Sequence, residues 1–438
     1  MRAAFCARAS KTARNDARAS IFCALASIAL GVTLAGCDRQ ILLGALAVTA
    51  PDGGGEDAAM MDDAMTADAP PHDASAGDAT TPDAASPDLA PRVPVLTATV
   101  QVGMDPVSAA LADFDGDGQL DAVTANHGAA SVTVLLGDGH GGFAPGRDFA
   151  VDAQPIAVVA GHFVGSATGQ LPGVATASSV QRSVTIALAA GKGALAPSST
   201  SPVGMAPASL VAADLDGDGR DDLAVADPVG GAVDVLLGPL GSSVTTPTVI
   251  AISGAPSCVT AGPVRSATLD LLIGYRDNFD LTLLDGDGHG KFTVGISTGI
   301  FADNLAAVAL ADVNNDGLLD AIAAARNGKI GAIVMVAFGV TGGGYSPSAA
   351  MYGVGQGVSA MALGDFDGDG LLDLATANAM DGTLSVLGGR AGGTFAPGVT
   401  LAVGGVSAVA AGDLDGDHRA ELIATSSTTN VLLVYRER

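Results

Sequence analysis

The chain has 438 residues and a formal charge of −26, with 60 Gly, no Trp, 12 Phe and 4 Tyr. So acidic a molecule lacks the Lys and Arg needed to displace counterions from phosphates, which excludes nucleic acid as a partner. With so few aromatic rings, a core must be packed from Val, Leu, Ile and Ala in many thin layers, which suits stacked short strands.

Residues 1–36 read as a signal peptide. Arg2, Arg8, Lys11, Arg14 and Arg18 make a basic start, and an apolar stretch from Ile21 to Ala35 follows that is too short to span a membrane stably. It ends in Leu34-Ala35-Gly36-Cys37, which resembles a bacterial lipobox, where the Cys is diacylated and becomes the first residue of the mature chain. The expected location is extracytoplasmic, lipid-anchored in the bacterial envelope or at the cell surface. Cys6 and Cys23 leave with the signal and Cys37 carries lipid, so Cys258 is expected to stand alone.

Residues 37–92 change character. After a short apolar patch, Ile41 to Val48, the chain is Asp, Ala, Pro and Gly with almost no large side chain. That composition cannot bury enough apolar area to offset chain entropy, and it predicts a disordered, self-repelling tether.

From Val93 to Arg438 the sequence repeats itself. Asp113-Phe-Asp-Gly-Asp-Gly-Gln-Leu-Asp121 recurs from Asp214, Asp312, Asp365 and Asp413, at spacings that are multiples of about 50 residues. Two degenerate copies, aligned by Pro155 and Pro256, place His162 and Pro263 at the first Asp position, giving seven units. Each unit reads as four short strands split by Gly and Asp turns; in the sixth they are Ser359–Phe366, Leu372–Ala379, Thr383–Leu387 and Phe395–Val403. Four strands in about 50 residues make one propeller blade. The seventh unit stops one strand short, and Val95–Val102 at the start can supply it, removing the sheet edges. The expected fold is all-β: a seven-bladed β-propeller of four-stranded blades, closed by an N-terminal strand in the last blade.

Within each acidic loop the carboxylates fall at positions 1, 3, 5 and 9, with the backbone carbonyl at position 7 as a further oxygen. These are Asp113, Asp115, Asp117, Gln119 and Asp121 in unit one, and Asp214, Asp216, Asp218, Arg220 and Asp222 in unit three. Unit five supplies Asp312, Asn314, Asp316, Leu318 and Asp320. Unit six supplies Asp365, Asp367, Asp369, Leu371 and Asp373, and unit seven Asp413, Asp415, Asp417, Arg419 and Glu421. Hard Ca²⁺ takes six to eight oxygens, and alternate residues of a tight loop aim their carboxylates inward together. About five Ca²⁺ ions are therefore expected. An EF-hand also begins Asp-x-Asp-x-Asp-Gly, but its last ligand is at position 12 on a helix, whereas here position 9 enters a strand.

The motif Phe-Asp-Gly-Asp-Gly-x-x-Asp before a strand resembles the FG-GAP/VCBS repeat of integrin α-subunit propellers and many bacterial surface proteins. The resemblance covers residues 93–438 and implies calcium in the loop between the first and second strands. Units two and four depart from it. His162-Phe-Val-Gly has lost every acid, and Pro263-Val-Arg265 keeps only Asp270, with Arg265 expected to pair with Asp270 where the ion would sit.

No catalytic constellation is evident, because His72, His127, His140, His289 and His418 lie in the tether, turns or loops without a partner at motif spacing. The reading is a monomeric binding or adhesion scaffold, not an enzyme, for an extracellular or envelope protein or glycan. The alternatives are a calcium-dependent lectin, which the shortage of aromatics disfavours, and a polysaccharide-degrading enzyme. The turns between second and third strands, on the face away from the metal loops, hold Arg182, Arg276, Arg326 and Lys329, a candidate basic partner face. If the anchor reading holds, Cys37→Ala shifts the protein from the membrane to the soluble or uncleaved fraction, and the mature chain has one titratable thiol, Cys258. Unchanged fractionation of Cys37→Ala contradicts it.

Overall fold

Each repeat folds into an antiparallel four-stranded sheet whose burial falls from the first strand to the fourth. The structure, a computed structural model, describes residues 33–35, 40–42, 93–164, 170–277, 280–299, 304–328 and 331–437. Cys37, Lys329 and nearly all of the signal and tether segments lie outside them.

In blade one the strands are Pro106–Ala112, Asp121–Asn126, Ser131–Leu135 and Arg147–Ala150. The first three are buried along almost their whole length, while the fourth is largely exposed. This is why the first three strands are rich in Val, Ala and Leu, buried on both faces, with their few polar residues also buried, and only the outermost exposes polar side chains. Seven such sheets form the fold, an all-β seven-bladed propeller with no helix among the described residues.

The first strands form a closed inner ring, each touching the next. They are rich in Ala, and Ala109, Ala110, Ala157, Ala306, Ala307, Ala360 and Ala408 are all at or below 1% exposed, because strands this close to the axis leave room only for small side chains. Hydroxyls cross between neighbours: Ser257 Oγ donates to the Leu305 carbonyl, Ser359 to Ser407, and Ser407 to Pro106 across the point where the ring closes. On the inner edge of blade three, Thr33–Ala35 pairs through Leu34 with Val211, and pairs in turn with Gln40–Leu42.

Blade seven is closed three plus one, as the sequence predicts. Val95–Gln101 pairs antiparallel with Val431–Arg436, and Thr97 Oγ1 adds a bond to the Val434 carbonyl. One predicted strand differs. In blade six Phe395–Val403 is not continuous: Thr394–Phe395 pairs with Gly389–Arg390 in a small hairpin, and the outer strand is Val399–Ala402. Pro397-Gly398 separates them, since Pro has no N–H for a ladder bond and Gly weakens a strand. The expectation of a lone Cys258 is also corrected: Cys258 is fully buried and disulfide-bonded, its partner lying outside the described residues. The other cysteines all precede residue 38, so this bond and an acylated, signal-free chain are exclusive alternatives that a thiol count separates.

Deleting residues up to Val102 bares the Val431–Arg436 edge and removes ladder bonds of about 1 kcal/mol each. The expected outcome is a melting midpoint lower by many degrees, with self-association visible on gel filtration. A monomer of unchanged midpoint contradicts the closure.

Candidate metal loops and partner face

The ninth residue of each acidic loop is the first residue of the second strand, and it is buried. Asp121, Asp222, Asp320, Asp373 and Glu421 are all 3% exposed or less. Four of them make the same two bonds. One carboxylate oxygen accepts the amide of loop position 2: Phe114 to Asp121 at 2.7 Å, Leu215 to Asp222 at 3.0 Å, Val313 to Asp320 at 3.0 Å and Phe366 to Asp373 at 2.7 Å. The other accepts a glycine amide just past the third strand, from Gly137, Gly238, Gly339 and Gly389 in turn. A single side chain thus fastens the first-to-second connection to the third-to-fourth one, on one face of the propeller. The side chain at position 2 plugs the blade beneath it, and Phe114, Leu215, Phe366 and Leu414 are all buried.

Position 1 organises the rest of the loop. Asp113 accepts the amides of Gly116 and Gly118, and Asp214, Asp312, Asp365 and Asp413 make equivalent bonds. Positions 4 and 6 adopt a left-handed backbone, φ +85° and +87° at Gly116 and Gly118, which explains the two glycines of the motif. Position 5 acids Asp117, Asp218, Asp316, Asp369 and Asp417 accept the amides of Gln119, Arg220, Leu318, Leu371 and Arg419 at position 7.

Carboxylate oxygens of positions 1, 3 and 9 converge in blades one, six and seven, and those of positions 1, 3 and 5 in blade three, with all such atoms within 4.8 Å of one another. Two oxygens bound to one ion at about 2.4 Å are at most about 4.8 Å apart, so these sets fit a hard divalent cation. In blade five Asn314 replaces the position 3 acid and its amide donates to Asp316 at 3.0 Å.

Without a cation such a cluster is electrostatically costly. Burial pushes Asp121, Asp222 and Asp373 up to about 7 and Asp320 up to about 6, against the bonds from the two amides, and neighbouring acids add to the rise. Burial also raises Glu421, where Arg436 opposes it.

Units two and four solve the same problem differently. In blade two, Gly173 stands where the buried acid would be, and the His162 amide donates to Asp221 of blade three at 2.7 Å. In blade four Asp270 keeps both bonds, from Arg265 N and Gly286 N, each at 2.9 Å. The expected ion pair is corrected: the Arg265 guanidinium reaches Asp285 at 2.6 Å, and only its amide binds Asp270.

The opposite face carries the second-to-third and fourth-to-first connections. A chain of backbone bonds runs across blades four to six, from Ala255 through Arg276, Asn304, Arg326 and Gly357 to Ala379. It places Arg276 and Arg326 on adjacent blades, each engaged in a further interaction. Arg182 is an exposed turn residue with φ +56° on blade two, and Lys329 lies outside the described residues. Sequence reasoning missed a stronger feature of this face. Met104, Val180, Met205, Val229 and Met380 all sit at its turns, each more than half exposed. Four of them belong to consecutive blades one, two and three. The signal was legible as apolar residues at turn tips, where solvent alone favours polar ones. An open cleft of about 550 Å³ lies on the same face, bordered by Val354, Asp381, Thr383, Ser385 and Thr400.

Residues 365–424, from the loop of blade six into the second strand of blade seven, match the FG-GAP-like repeat family. No curated protein matches the chain. Among solved structures, BBS1N in complex with ARL6DN is similar at a TM-score of 0.56 and 14% identity, over 79% of this chain and 98% of that one. Virginiamycin B lyase from Staphylococcus aureus is similar at 0.51 and 10% identity, covering 78% and 99%. The β-propeller domain of Myceliophteria thermophila Cps50 (Swd1) is similar at 0.52 and 13% identity, covering 79% and 100%. At these identities the likeness concerns the fold.

The buried acids set the pH dependence of the metal-free protein. In the unfolded chain the aspartates ionise near 3.8, whereas in the fold three hold their protons to about 7 and one to about 6. The folded state binds more protons in between, so their contribution is complete below about pH 4 and is lost as pH rises through 6 to 7. In chelator, the melting midpoint should therefore be several degrees higher at pH 5.5 than at pH 8, and the triple change Asp121→Asn, Asp222→Asn, Asp373→Asn should flatten the profile. A midpoint that rises with pH contradicts this.

Proposed function

We propose that the mature chain, which carries lipid on Cys37 and lacks the Cys258 disulfide, is a calcium-braced binding scaffold of the bacterial cell envelope that offers its metal-free turn face to a protein or glycan partner. The carboxylates at positions 1, 3 and 9, with position 5, would hold each ion, and the bound ion supplies compact positive charge that offsets the buried acids. The chain's own part is to fix those oxygens, through the amides of position 2 and of the glycine beyond the third strand.

The observation that carries the binding reading is the division of faces: metal loops on one side, and on the other an exposed apolar set, Met104, Val180, Met205, Val229 and Met380. Apolar turn tips gain nothing in water and are the anchors a protein surface covers. A propeller of like fold occurs in complex with ARL6DN, which supports protein recognition by this architecture. The basic residues Arg182, Arg276 and Arg326 border the same turns and favour a partner with acidic character. The glycan reading draws on the cleft at Asp381, Thr383, Ser385 and Thr400, whose hydroxyls and carboxylate suit sugar hydroxyls. We read the molecule as a binder, not a catalyst. His127 is held by Asp105 at 3.1 Å, and the His140 and His289 amides close Asp-anchored turns.

The combined change Val180→Asp, Met205→Asp, Val229→Asp should abolish capture of partners from isolated envelope, with the melting midpoint unchanged. Val294→Asp, on the exposed outer strand of blade four, serves as the control and should bind normally. Equal capture by both variants contradicts a partner site on this face.

A further inference from the structure

The seventh acidic loop departs from the other four at three places. Position 9 is Glu421 instead of Asp, and position 6 is His418, held at φ +70° where the others use Gly. Position 6 thus carries a left-handed non-glycine residue, a conformation that costs about 1 kcal/mol or more. The third departure is Arg436. Its Nε donates to Glu421 Oε1 at 2.9 Å, and its Nη2 donates to Asp415 Oδ2. The two ligand positions that converge with Asp413 are therefore already bonded to a cation.

Strand register shows why this loop receives a guanidinium from its third strand; in blade three a guanidinium also bonds a loop acid, Arg220 to Asp218, but from within the loop and on a single position. Tyr435 pairs with Leu422 as Leu135 pairs with Ala122, Leu236 with Leu223, Ala337 with Ala321 and Leu387 with Leu374. Arg436 is thus the counterpart of Leu136, Leu237, Phe338 and Gly388, none of which can bond a carboxylate. The first three instead pack on glycine turns of the following blade, at Gly193, Gly290 and Gly393. In blade four the same register position holds Asp285, and there the loop's Arg265 pairs with it. Blades four and seven thus share one arrangement with the charges exchanged, and blade four lacks the acid set that an ion would need.

We propose that Arg436 is the resident cation of the seventh loop, so that the blade in which the first and last strands of the propeller meet is closed without a metal ion. The guanidinium also lies against Gly141 of blade one, and Arg436 pairs in the ladder with Val95 of the closing strand. One residue, through its guanidinium and its backbone, therefore joins the loop, the first blade and the N-terminal strand at the seam. Planar, permanently charged and carrying donors in fixed directions, Arg suits this task better than a labile ion. The blade that closes the ring then stays shut when calcium is scarce.

This inference rests on the calcium reading of the other loops, and counting ions separates the two. Native mass spectrometry of the full chain with calcium alone should show four ions, in blades one, three, five and six. Arg436→Gln should show five. Asp415→Asn should leave the count at four, whereas Asp113→Asn should reduce it to three. Five ions in the unaltered chain, or a fall to three in Asp415→Asn, overturns the role of Arg436. If Arg436→Gln does not fold, the two aspartate variants still decide. No bound ion in any variant overturns the calcium reading itself.

Discussion

A carboxylate buried at the start of the second strand is the constraint on which six of the seven blades depend. It accepts the amide of the residue that plugs the blade and the amide of the glycine where the third strand ends. Those donors are backbone groups that would otherwise be stranded in connections turned away from the ladder, and leaving each unpaired costs about 1–3 kcal/mol. The same geometry removes the acid from water beside two or three other acids, which is unfavourable unless a cation joins them. Architecture and the candidate cation site therefore share one side chain. Blade four shows the two roles apart, because Asp270 keeps both amide bonds in a loop that has no acid set.

Where the acid is lost, the fold replaces its function instead of its position. The His162 amide of blade two reaches across to Asp221, the residue just before the buried Asp222 of the next blade. The neighbouring loop therefore serves two blades. Such borrowing works because the inner strands pack side by side in a closed ring, which fixes each loop against the next. The closed ring also divides the labour of the two faces. One is committed to polar loops tied to the core, and the other carries turns braced by residues such as Asp227, with Met and Val exposed at their tips. Exposed Met and Val at those turns are tolerable only if something covers them or if their number stays small, and here they cluster on adjacent blades.

Much of this was legible in the sequence because the repeat supplied its own register. Five copies of one loop fixed the period, and the period fixed the seven blades, the strand order and the closing strand Val95–Gln101. The position 9 acid was visible as a ligand, but its structural bonds were not, since no spacing connects Asp121 to Gly137. Cross-strand partners were equally hidden. Arg265 looked like a mate for Asp270 by proximity in sequence, whereas the third strand brings Asp285 to it. Arg436 looked like an ordinary terminal residue until strand pairing set it beside Asp415 and Glu421. The apolar turn tips were readable residue by residue, yet only the face they share gives them meaning.

The central claim is that each metal loop is a closed device in which the cation and the buried acid act together. Residue-resolved amide hydrogen exchange at pH 8, with and without calcium, tests it most directly. Protection at Gly118, Gly219, Gly317 and Gly370 should rise strongly with calcium, while the equivalent segments around Phe163, Arg265 and His418 should change little. Uniform protection across all seven loops, or no change at the first four, would contradict the account.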